Sequence, residues 1–150
     1  MSRTDDKMPI DRFNRKATFV RVVDGDTIDV IVDLGWSMKF KERLRLSGVD
    51  TPEIYNTKEN EAGKFVKGVV ERFFTDNEEL MITSTAYDRT GKVRGKYGRT
   101  LAEVFRLRDG KCLNSYLLDE KLGWPLNDKG ELVGERSLAL LSGLPGELRA

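Results

Sequence analysis

The 150-residue sequence has no histidine and a single cysteine, Cys112. Without imidazole or a second thiolate it lacks an ordinary zinc ligand set, and no disulfide can form within the chain. Imidazole cannot serve as general base either, so hydrolytic chemistry falls to carboxylates, arginines and a bound hard cation. Long apolar runs are also missing. No stretch approaches the roughly 20 residues that span a bilayer, and the polar, charged segment Met1 to Lys16 holds no apolar core for a secretion signal. A soluble, cytoplasmic protein with no membrane attachment is expected, with residues 1–16 as a flexible arm. With 26 basic and 25 acidic residues the net charge is +1. A strongly basic coat is excluded, and any attraction for a polyanion must be local.

Charge is in fact segregated along the chain. Arg89, Lys92, Arg94, Lys96 and Arg99 stand against Asp88 in a glycine-containing loop, whereas the segment from Leu113 to Ala150 is mildly acidic. The length suits one domain with one closed core. Residues 17–125 are expected to form it, with residues 126–150 as a tail packing on or extending it.

Apolar residues alternate from Ala17 onward. Val20 and Val22 fall on one side of a first strand, and Ile28, Val30, Val32 and Leu34 on one side of a second. Asp24-Gly25 reads as a two-residue hairpin turn between them. Met38, Phe40, Leu44 and Leu46 then share one face of a third strand, which puts Arg45 on the other. A helix follows, with Ala62, Phe65, Val66, Val69, Val70, Phe73 and Phe74 at three-and-four spacing and Asn56 with Glu59 as a capping box. Gly63 and Gly68 cost this helix about 1 kcal/mol each relative to alanine.

Further strands are expected over Leu80 to Ala86 and Thr100 to Leu107. Asn114 is placed to cap a short helix that Pro125 stops, and a weakly helical piece is expected near Glu131 to Leu141. Five strands with a helix between the third and fourth suit a Greek-key barrel of the OB type, which closes its edges and presents loops to ligands. Trp124 is expected to plug its core.

Three separated clusters carry the chemistry: Asp24-Gly25-Asp26-Thr27, Arg45 with Asp50-Thr51-Pro52-Glu53, and Lys96-Tyr97-Gly98-Arg99. Taken singly, each reads as a turn, a helix-leading loop or a strand entry. Taken jointly they place three carboxylates and two arginines at strand ends, where a barrel has no structural need of them. Asp26 and Asp50 can converge on one rim as oxygen ligands for Ca²⁺ or Mg²⁺.

In their order and separation these segments resemble the signature segments of the staphylococcal nuclease-like (thermonuclease) family, from about Ala17 to about Gly123. The resemblance implies a metal-dependent endonuclease cutting DNA and/or RNA with little sequence preference, and calcium as the metal. It implies that Asp26, Asp50 and the Thr51 carbonyl hold the ion, and that Glu53 is the general base toward water. Arg45 and Arg99 would grip the scissile phosphate and stabilise its transition state, while Lys96 and Tyr97 would touch a neighbouring phosphate.

The fit is incomplete. Gly95 stands where the family is often acidic, and Leu126-Asn127-Asp128-Lys129 replaces its base-flanking tyrosines. The competing reading is a catalytically silent nuclease-like OB domain that binds nucleic acid or a protein partner. Such modules usually show gaps in the acid and arginine set, and this chain has none. A monomer is expected.

Overall fold

The computed structural model describes residues 14–55, 58–84 and 100–149. Five strands close a barrel in the order β1 (Asn14–Asp24), β2 (Thr27–Gly35), β3 (Met38–Leu46), β6 (Thr100–Arg106) and β5 (Glu79–Ser84), with β1 returning to pair with β5. All neighbours are antiparallel except β3 and β6, which run parallel over Leu44 to Leu46. Two-residue strands β4 (Val49–Asp50) and β7 (Trp124–Pro125) pair beside the barrel. Helix α1 (Asn60–Phe73) lies between the third and fourth barrel strands in sequence, and α2 (Leu113–Asp119) follows β6. The five-stranded barrel expected from the alternating pattern is therefore present, closed and supplemented by two helices. No described helix is long and apolar enough to cross a membrane.

Period-two patterning fails locally in β1. Ala17, Phe19 and Val22 are buried while Val20 is exposed, because the register with β2 shifts between Phe19 and Arg21. Such a bulge reverses which side chains face inward. The inward partner of Val22 is thus Phe19, not Val20. On β3, Leu44 and Leu46 are buried, but Met38 and Phe40 are exposed, since the β2–β3 hairpin runs past the core.

Helix α1 keeps its expected stripe, with Ala62, Val66, Val70 and Phe73 buried. Each fully buried Val contributes about 1.5–3 kcal/mol, enough to outweigh the glycines. Gly63 is more than a cost, however. A Cβ there would lie 2.8 Å from the Pro52 carbonyl oxygen and 2.9 Å from the Ile54 nitrogen, so only glycine lets α1 rest on the loop that carries Glu53. The capping box does not form as expected: Glu59 is the N-cap residue, makes no side-chain cap, and turns its carboxylate elsewhere. Asn56 lies outside the described residues.

Asn114 is not a cap either, since α2 begins one residue earlier behind Cys112. It is buried, donates from Nδ2 to the carbonyls of Ser47 (2.8 Å) and Ala102 (3.1 Å), and accepts from the Val104 N–H (3.0 Å). These bonds tie α2 to β6 and to the turn feeding β4, and so steady the approach to Asp50. Helix α2 ends at Asp119, well before Pro125, which belongs to β7. The weak helix expected near Glu131 to Leu141 is reduced to a single 3₁₀ turn, Leu138–Leu140. Leu141 and Leu144 nonetheless enter the core.

Candidate active site

The β1–β2 turn is Gly25-Asp26, one residue beyond the pair expected from sequence. It sits hard against its surroundings: a Cβ on Gly25 would lie 2.7 Å from Thr51 Oγ1 and 2.8 Å from Val66 Cγ1. Glycine therefore brings the next residue, Asp26, within reach of the segment after β4. Asp26 is buried. Its Oδ2 accepts the Thr51 N–H at 3.1 Å and its Oδ1 accepts the Thr27 hydroxyl at 3.1 Å. Its carbonyl accepts the Leu46 N–H at 2.8 Å, which fixes the turn to the end of β3.

Asp50 enters from β4, held opposite Trp124 of β7. Glu53 follows in the loop before α1, its N–H donated to Glu59 Oε1 at 2.9 Å and its side chain exposed. The carboxylates of Asp26, Asp50 and Glu53 converge so that one oxygen from each lies within 4.8 Å of the others. The resulting centre runs from a buried carboxylate to an exposed one and opens at Glu53.

Two guanidinium groups border it. Arg45 Nη2 lies 3.3 Å from Asp26 Oδ2 and 3.1 Å from Asp50 Oδ1. Its Nη1 donates to the carbonyls of Leu46 and Val49, both at 2.8 Å. Arg136, from the segment after β7, pairs with Asp50 Oδ2 and approaches the Thr51 carbonyl at 3.4 Å. Its Nε and Nη2 clamp the Glu59 carboxylate at 3.0 and 2.8 Å, and its plane lies 4.4 Å from the Trp124 ring.

The electrostatics record burial first and crowding of like charge second. Burial is the main cause raising the pKa of Asp50; the Asp26 charge adds to it, against the opposing pull of Arg136 and Arg45. Burial, then Asp26 and Asp50, likewise raise Glu53. Asp24 is pushed up to about 7 by burial and then by Asp26. Burial would raise Glu59, but its hydrogen bonds from Arg136 and the Glu53 N–H bring it below the ordinary value. Convergent carboxylates with a backbone carbonyl at their edge form a donor set suited to a hard divalent ion.

Of the residues singled out from sequence, Asp26, Asp50, Thr51, Glu53 and Arg45 come together here. Lys96, Tyr97 and Arg99 lie outside the described residues, as does the basic loop around them; Thr100, next after Arg99, pairs with Leu44 beside Arg45. Trp124 is buried as expected and also serves as a shelf for Arg136, its Nε1 donating to the Ser137 carbonyl at 2.9 Å. Sequence reasoning missed Arg136, which no motif marks, and gave Glu59 a capping role in place of an anchoring one.

A closed five-stranded barrel with an acidic centre on its rim and arginines at its edge defines an OB-like barrel of nuclease type. The chain belongs to the staphylococcal nuclease homologue family, whose model matches residues 43–132. It is 39% identical over 123 residues to a thermonuclease of Staphylococcus intermedius, an alignment covering 78% of this chain and 66% of that protein. It is 26% identical over 121 residues to Protein ParB of Escherichia coli, covering 81% of this chain and 63% of that one. An uncharacterized endonuclease of Escherichia coli O157:H7 is 30% identical over 105 residues, covering 70% and 57% respectively. The chain thus spans 57% to 66% of the length of these relatives. Asp26 and Arg136 both fall outside the segment matched by the family model.

Proposed function

We propose that this protein is a nuclease that hydrolyses phosphodiester bonds of DNA and/or RNA, with a divalent ion, calcium foremost, as cofactor. The observation that carries the reading is the convergence of Asp26, Asp50 and Glu53 oxygens within 4.8 Å beside the Arg45 guanidinium. Relatives named thermonuclease and endonuclease support it.

Asp26, Asp50 and the Thr51 carbonyl would hold the ion, which would polarise the phosphate and orient water. Asp26 is oriented for this by the Thr51 N–H and the Thr27 hydroxyl, with Arg45 beside its Oδ2. Glu53, exposed at the open end, takes the proton from the attacking water. Arg45 and Arg99 donate to the phosphate oxygens as negative charge accumulates on the pentacoordinate phosphorus, where planar, bidentate donors act best. Lys96 and Tyr97 hold the neighbouring phosphate; these two roles and that of Arg99 rest on the family resemblance.

Plasmid DNA and RNA incubated with the protein in Ca²⁺, in Mg²⁺ and in chelator test this directly. Cleavage is expected with the ion and not with chelator. Retention of nucleic acid on the protein without cleavage under any ion would favour the silent binding domain instead.

A further inference from the structure

The Arg136 guanidinium occupies two of the acceptors assigned above to the cofactor, Asp50 Oδ2 and the Thr51 carbonyl. We propose that Arg136 is a resident counter-cation of the centre, and that a divalent ion has to take these oxygens from it.

Charge and anchoring both point this way. Asp26, Asp50 and Glu53 converge in a part-buried site, and Arg136 brings one positive charge to Asp50 Oδ2 while Arg45 contacts Oδ1. A guanidinium stays protonated across the working pH range, so this charge is permanent. The guanidinium is also held independently of Asp50. Glu59 clamps it through two hydrogen bonds, and Trp124 lies under its plane. When an ion takes Asp50, Arg136 keeps these anchors and surrenders only the contacts to Asp50 and Thr51. Two cations contesting the same carboxylate oxygen weaken each other's binding, because their mutual repulsion in a part-buried site is poorly screened. Glu59 in turn accepts the Glu53 N–H, so the anchor reaches the backbone of the base. This chain therefore carries a built-in brake on cation affinity, supplied by a segment beyond the family-matched region.

The inference rests on the centre being a cation site, and the experiment separates the two. Calcium binding is measured by calorimetry on the wild type, Arg136→Gln and Asp50→Ala, with no nucleic acid present. Expected are loss of binding in Asp50→Ala and binding at least tenfold tighter in Arg136→Gln. The thermal midpoint of Arg136→Gln should be lower than wild type without calcium, where the carboxylates lose their counter-charge, and the gap should narrow at saturating calcium. Wild-type affinity in Asp50→Ala would show that the centre itself is misassigned. If Asp50→Ala loses binding but Arg136→Gln binds calcium equally or more weakly, the centre stands and the counter-cation role falls. Should Arg136→Gln not fold, Arg136→Lys decides: it keeps the charge but cannot clamp Glu59 and Asp50 together, and at least threefold tighter binding is expected, with equal or weaker binding overturning the role.

Discussion

Arg45 Nη2 stands 3.1 Å from Asp50 Oδ1 while Nη1 of the same guanidinium holds the carbonyls of Leu46 and Val49. One side chain thus links a proposed phosphate clamp to a proposed metal ligand and staples the turn between them. Its side chain is only 13% exposed, so these bonds act in poorly screened surroundings. Arg45 cannot be altered for catalysis alone.

Arg45→Lys is accordingly expected to lower both activity and stability, because an ammonium cannot reproduce the planar fork that serves two carbonyls and two carboxylates. Turnover should fall at least about a hundredfold, the scale for losing one preorganised donor. Arg99→Lys should cost turnover on a similar scale. Cleavage rates measured beside thermal midpoints separate the two effects, and wild-type turnover in both variants would remove the clamp assignment.

Glu53→Gln should keep calcium affinity close to wild type while turnover falls by about 10² to 10⁴, the usual contribution of a positioned base. Its backbone N–H remains free to donate to Glu59, so the loop should not move. Single-turnover cleavage with calcium titration checks both halves. A fully active variant would eliminate the base role.

Thr51→Val should leave activity unchanged, since the proposed ligand is the backbone carbonyl. The Thr51 hydroxyl is buried with no hydrogen-bond partner among the described residues. Removing an unsatisfied buried hydroxyl is neutral or stabilising, so the melting temperature should stay level or rise. A large loss of activity would show that the hydroxyl takes part.

The two helix glycines should respond in opposite directions to alanine. At Gly68 the nearest atom to an added Cβ is the flexible Arg72 Nη1 at 3.3 Å, and Gly68→Ala should stabilise by about 0.5–1 kcal/mol through helix propensity. Gly63→Ala would instead drive a methyl into the backbone of Pro52 and Glu53. It should destabilise and, because that loop carries Glu53, reduce activity as well. Denaturant titration of both variants gives the comparison.

Asp29 accepts two hydrogen bonds from Arg43 at 2.8 and 3.2 Å, and these, with the Arg43 and Arg21 charges, hold its carboxyl below the ordinary 3.8. A depressed carboxylate stabilises the fold above its unfolded pKa and loses that contribution as pH falls through the folded one. The acid-induced loss of stability should therefore be shallower below pH 3.8 in Asp29→Asn than in wild type. Melting temperatures across that range would reveal it; parallel curves would mean the pair contributes nothing.

The barrel, the helix stripe and the chemical identity of the acidic cluster were legible in the amino-acid chain alone. Alternation and three-and-four spacing are local properties of the chain; Asp26 and Arg45 sit beside the strand ends they mark, while Asp50 and Glu53 are read from a short motif of acidic residues around Pro52. Tertiary structure alone decided the rest. The bulge that turns Val20 outward arises from pairing with β2, and the task of Asn114 depends on carbonyls 67 and 12 residues away. Arg136 meets Asp50 across 86 residues of chain, in a segment whose only sequence signal is a weak helical pattern that the structure does not realise at that residue. Its position follows from Trp124, Glu59 and the pairing of β4 with β7. Long-range contacts of this kind leave no periodic trace in sequence, because they are set by where the closed barrel brings remote segments together.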